Sequence, residues 1–106
     1  MDRIERLKEF LALSPEDSFV QHALALEYIK LQDDETAREL FEKLLSKDEN
    51  YVGSYYHLAK LLERNEEREA AIEVYEKGML KAKELGDHHA YNELRSAYEE
   101  FIDEST

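Results

Sequence analysis

Apolar residues recur along this chain at three- and four-residue intervals, and nowhere do they alternate over the length of a strand. Ile4, Leu7, Phe10, Leu11 and Leu13 make the first stripe, Leu24 and Tyr28 belong to the second, and Tyr91, Leu94 and Tyr98 to the last. Breakers are scarce, with three glycines and one proline, and no Asn-Gly or Asp-Gly marks a hairpin. The pattern predicts an all-α fold with helices over 2–13, 15–32, 34–47, 51–64, 66–85 and 87–103. Ser14-Pro15-Glu16-Asp17 offers an N-cap, a proline for the first helical position and acids for the first turn. Asp33-Asp34-Glu35, Asn65-Glu66-Glu67 and Asp87 can open later helices in the same way.

Displaced by 34 residues, the chain matches itself without a gap. Leu24 falls on Leu58, Ala25 on Ala59, Ala37 on Ala71, Glu39 on Glu73, and Glu42-Lys43 on Glu76-Lys77. Phe41 pairs with Tyr75, Leu40 with Val74 and Lys30 with Arg64. Two repeats follow, 18–51 and 52–85. Their alanines are small where two helices must approach closely. Leu24, Tyr28, Phe41, Leu58, Leu62 and Tyr75 fill the volume around that approach, each worth about 1.5–3 kcal/mol when fully buried.

These positions resemble the tetratricopeptide repeat family, whose 34-residue helix–turn–helix unit carries an aromatic, Leu and a small residue, then Tyr, and later Ala and an aromatic. The second repeat has Tyr55, Leu58, Ala59, Leu62, Ala71 and Tyr75 there. The first has Leu24, Ala25, Tyr28, Ala37 and Phe41, with Gln21 in place of the first aromatic. The resemblance implies a right-handed α-α superhelix in one domain, about six helices, with two full repeats flanked by single capping helices.

Two repeats expose apolar faces that the ends must cover. The segment 86–106 supplies Tyr91, Leu94 and Tyr98 at the spacing of a further first helix, displaced by two residues, with Arg95 where the family has a small side chain. The segment 1–17 resembles a second helix, with Arg3 where alanine is expected and Pro15 where a repeat would close.

Composition narrows the function. Of 106 residues, 38% are charged, well above the ~25% of ordinary globular proteins. A net charge of −12 opposes nucleic acid at long range. The acidity suits either a solvated helical surface, as in salt adaptation, or attraction of a basic partner. Absence of cysteine excludes disulfide scaffolds, zinc fingers and thiol catalysis. No apolar run approaches the ~20 residues of a membrane span, and no secretory signal opens the chain, so a cytoplasmic protein is expected. The start methionine and capped end suit a complete small protein. There is no His-Glu-x-x-His, glycine-rich phosphate loop or nucleophile elbow. His88 with Asn92, or His89 with Glu93, offers only two mixed ligands, too few for a metal site. Neither catalysis, a cofactor nor a metal is expected.

The resemblance implies a scaffold-type interaction module whose first helices line a groove for a peptide or protein segment. On it would lie Phe19, His22, Leu26, Ile29 and Lys30 from the first repeat and Gly53, Tyr56, His57, Lys60, Glu63 and Arg64 from the second. His89, Asn92, Glu93, Ser96 and Glu99 would come from the last helix. The family's clamp for C-terminal carboxylates is absent, its positions being held by His22, Leu26, His57, His89 and Glu93. Phe19, Leu26, Ile29 and Tyr56 make an apolar seat beside the cations Lys60 and Arg64, which suits a peptide with an apolar anchor and an acidic neighbour. Leu26 and Ile29 packing on the N-terminal helix, and Lys60 and Arg64 pairing with glutamates, are the structural alternative. Three of the four histidines map to this face and either sense pH or lie idle on the surface. The competing function is self-assembly as a homodimer through Tyr91, Tyr98 and Phe101, or through Ile4 and Leu11.

Overall fold

Six α-helices and no strand occur among the described residues, 2–104, of the computed structural model: α1 (Arg3–Leu13), α2 (Ser18–Lys30), α3 (Asp34–Lys47), α4 (Gly53–Arg64), α5 (Arg68–Leu85) and α6 (His88–Glu104). Met1, Ser105 and Thr106, the outer ends of the two capping segments, lie outside the described residues. The chain divides into two compact units, Met1–Asp48 with α1 to α3 and Glu49–Thr106 with α4 to α6. It is an all-α helical repeat protein.

Aspartates fix most of the helix starts. Asp2, Asp17, Asp33 and Asp87 accept from the backbone N–H three residues on, at 2.8, 3.1, 3.1 and 3.0 Å. Each such cap is worth about 0.5–2 kcal/mol. Asp17 therefore starts α2 at Ser18, three residues later than the sequence predicts, and Pro15 lies in the turn. Ser14 ends α1 instead, donating its N–H to the Phe10 carbonyl at 2.9 Å. Asn65 likewise closes α4, its Nδ2 donating to the Leu61 carbonyl at 2.7 Å, and α5 begins at Arg68 without a side-chain cap.

Three helix ends share one device. Gln32, Glu66 and Gly86 have φ of 63°, 59° and 69°. The next residue in each case, Asp33, Glu67 or Asp87, donates its N–H five residues back, at 2.9–3.0 Å. This closes the last carbonyls, and the left-handed residue favours glycine. Gln32 and Glu66 adopt it despite a Cβ, at a cost of about 1–2 kcal/mol each. Gln32→Gly and Glu66→Gly are each expected to stabilise by about 0.5–1 kcal/mol once the added freedom of the unfolded chain is deducted. A thermal melt that shows an unchanged or lower Tm for both would contradict this.

In the first unit α1 packs on α2 through Leu7, Val20, Ala23 and Leu24, with Ile4, Leu11, Tyr28 and Leu40 half-buried beside them. Phe10 and Leu13, expected to share that stripe, turn outward and are exposed. Between α2 and α3 lie Ala25, Ala37, Phe41 and Leu44, none with any exposure. Ser18 Oγ donates to Asp48 Oδ2 at 2.8 Å and Lys47 meets Glu16 at 2.8 Å, tying the end of α3 to the start of α2.

The second unit repeats this plan with Ala59, Ala71, Tyr75 and Ala82 wholly buried. Lys81 and Lys77 reach Glu49 at 3.1 and 3.7 Å, and the Lys81 hydrogen bond foremost holds that carboxyl below the usual range. Helix α6 covers α5 with Ala90 and Leu94, and the rings of Tyr98 and Phe101 meet Tyr75 at 6.0 and 6.3 Å. Arg95 stays at the surface, paired with Glu99 at 2.6 Å.

The register also explains Gln21. Its Nε2 donates to the Pro15 carbonyl at 3.1 Å, and 34 residues later Tyr55 Oη donates to the Glu49 carbonyl at 2.6 Å. Both side chains reach the backbone six residues upstream, so the smaller amide keeps the aromatic's polar contact. It fills less volume, and the facing helix compensates: Leu44 stands in α3 where α5 has Gly78.

Candidate functional site

The expected binding residues fall into one set on each unit. On α2, Phe19 is 68% exposed in the first turn, while Leu26 and Ile29 are half-buried. His22 turns toward α3, its ring edge-on to Phe41 at 5.7 Å, and so is part of the packing. Lys30 is exposed and bonds Glu27 at 3.1 Å, which with Arg3 keeps that carboxyl below its usual range.

In the second unit, α4 presents Tyr56, His57 and Lys60, all half-buried, with Arg64 exposed one turn on. The Tyr56 and His57 rings meet edge-on at 5.4 Å. His89 and Asn92 are exposed on α6, which packs on α4 as well as α5. Lys60 meets Glu63 at 3.4 Å, so this cation is paired as the structural alternative has it. The pair is part-buried, and the Glu63 carboxylate is its less exposed member.

Burial holds the His57 imidazole below its usual value, against the opposing pull of Glu93 on α6. A histidine with a depressed folded pKa takes up its proton more readily in the unfolded chain. Its contribution to stability is intact above about pH 6.5 and declines as pH falls below that value. His57→Gln is expected to flatten this part of the profile. Urea midpoints at pH 7.5 and 5.5, compared with the native chain, give the difference; equal slopes would remove His57 from the account.

Sequence reasoning placed Glu63 on the groove but missed its bond to Tyr75. The carboxylate accepts the Tyr75 phenol in a short hydrogen bond as well as meeting Lys60, linking the exposed side of α4 to the core of its unit. A buried tyrosine requires a partner for its hydroxyl, and that requirement was the available signal. Among the described residues no group of three or more His, Cys, Asp or Glu could hold a metal ion. No helix among them is long and apolar enough to cross a membrane.

The paired helices and their 34-residue register define a helical repeat protein, and comparison with known proteins gives the class. The tetratricopeptide repeat family model matches residues 20–51 and 52–80, and the chain belongs to that family. A tetratricopeptide repeat domain protein from Salinibacter ruber, in its crystal structure, is 39% identical with a TM-score of 0.79, covering 82% of this chain and 97% of that one. A solution structure of such a protein from the same organism is 41% identical with a TM-score of 0.78, covering 82% and 88%. A Bordetella parapertussis protein shares the fold at 23% identity, with a TM-score of 0.84 over 98% of this chain and 90% of that one. Among curated proteins, none is significantly similar to the chain.

Proposed function

We propose that the protein is a non-catalytic interaction module that holds a peptide or protein segment against first helices of its repeats, with α4 and α6 of the second unit as the candidate seat. The observation that carries this is the side of α4, where Tyr56, His57 and Lys60 stand together half-buried, neither sealed in the core nor fully solvated. An aromatic, an imidazole and a cation on adjoining turns suit a ligand with one apolar anchor and a carboxylate beside it. The anchor packs on Tyr56, and the carboxylate displaces Glu63 from Lys60. In the first unit Phe19, Leu26 and Ile29 give α2 a more apolar face of its own. Nucleic acid and anionic membrane are unsuited partners for a chain of net charge −12.

Peptides selected from a random display library on the native chain provide the test. A Tyr56→Glu, Lys60→Glu variant that keeps its helical circular dichroism should bind them at least ~10-fold more weakly. Selected peptides that bind both forms equally would move the site elsewhere.

A further inference from the structure

Helix α1 has an apolar side that no other described residue covers. Leu7 turns into the core of its unit, whereas Phe10 is 62% and Leu13 85% exposed. At helical spacing Leu7, Phe10 and Leu13 form one apolar arc, and Arg3 and Arg6 continue the Phe10 side toward the N-terminus. Two shallow depressions adjoin along it, the first bordered by Arg3, Arg6, Leu7 and Phe10, the second by Arg6, Glu9, Phe10 and Leu13.

The repeat spacing indicates what would cover this side. Phe10 corresponds to Leu44 and Arg3 to Ala37, 34 residues on, and both counterparts are fully buried in α3, which packs on α2. Phe10 thus lies where a helix antiparallel to α1 would be seated, as α2 is on α3. Charge specifies that helix further. Arg6 is exposed and its side chain makes no hydrogen bond or ion pair among the described residues, in a chain with 26 acids. Arg3 is partly committed, its Nε meeting Glu27 at 3.2 Å. Glu9 stands at the opposite, Phe10–Leu13 end, where it repels a carboxylate.

We infer that this side of α1 docks an acidic amphipathic helix of another protein. Its first turns set apolar side chains on Phe10 and Leu13, and a carboxylate nearer its C-terminus meets Arg6. The partial negative charge of that helix end adds to the attraction. Helix α6 of a second copy of this chain does not meet the description. It corresponds to α4 at a spacing of 36 residues, which puts Arg95 at the position of the buried Ala59. Laid on α1 in the repeat's geometry, Arg95 would meet Arg3 at a contact made for two alanines. Bulk and like charge both oppose it.

Two stapled, fluorescein-labelled helices test the inference by anisotropy. One carries leucines on one side of its first two turns and glutamates on the same side of its last two; the other has lysines for the glutamates. The glutamate helix should bind the native chain and lose at least ~10-fold in affinity to Arg6→Glu and to Phe10→Ser. Both residues are exposed, so thermal melts should stay unchanged, and Tyr56→Glu should leave this binding intact whatever it does to the face of α4. The inference is overturned by no binding of the glutamate helix, by equal or tighter binding of the lysine helix, or by indifference to Arg6→Glu. It is equally overturned if light scattering shows a dimer that Phe10→Ser dissociates.

Discussion

Gly78→Leu is expected to destabilise the protein by about 3 kcal/mol or more, enough to unfold a chain of ordinary stability. A Cβ at position 78 would stand 2.7 Å from Tyr55 Cβ, 2.9 Å from Tyr55 Cγ and 3.0 Å from Leu94 Cδ1. The two tyrosine atoms belong to the base of a side chain that is 2% exposed, so α4 and α5 must separate. Helix propensity acts the other way, since leaving glycine gains nearly 1 kcal/mol in a helix interior, and is too small to reverse the sign. The first repeat shows the remedy. Leu44 occupies the position of Gly78 there, and Gln21 that of Tyr55. The double variant Gly78→Leu, Tyr55→Gln should recover at least ~1 kcal/mol over the sum of the single changes. Urea denaturation of the four proteins measures the coupling, and strict additivity would show that the pair is not complementary.

Tyr75→Ala is expected to cost about 3–5 kcal/mol, and Phe41→Ala in the other unit a similar amount. Neither ring has any exposure. The tyrosine carries a second function that the phenylalanine lacks. Burial and then the Glu63 carboxylate push its phenol far above the ordinary value, so it remains a donor throughout the working pH range. Tyr75→Phe should therefore cost less than the alanine but still about 1.5–3 kcal/mol, because the half-buried Glu63 loses its donor. A near-neutral Tyr75→Phe would mean that Lys60 alone satisfies that carboxylate.

The helices and their repeat were legible because they rest on regularities a sequence displays directly. An ungapped self-match puts Ala25 on Ala59 and Phe41 on Tyr75, and these residues have no exposure in the structure. Helix starts were less legible where two caps competed. Ser14 and Asp17 both suit the role, and the difference lies in which side chain reaches a free N–H. The stripe of α1 misled for another reason. Periodicity registers that Phe10 and Leu13 are apolar, not whether a neighbour covers them. Of the residues expected at self-assembly surfaces, Ile4 and Leu11 are half-buried against the core of their unit, Tyr91 is half-buried, and the rings of Tyr98 and Phe101 meet Tyr75. At the candidate face, the half-burial of Tyr56, His57 and Lys60 is a matter of tertiary packing, which the spacing of residues along α4 does not display. The link from Glu63 to Tyr75 was hidden because a glutamate on a helix rich in charge carries no mark of its buried partner.

The interaction reading is tested most directly by backbone amide shifts in the 15N-labelled protein during titration with a library-selected peptide. The account expects the largest changes on α4 and α6, around Tyr56, His57, Lys60 and Asn92. Changes confined to α3 and α5, with the first helices silent, would contradict it.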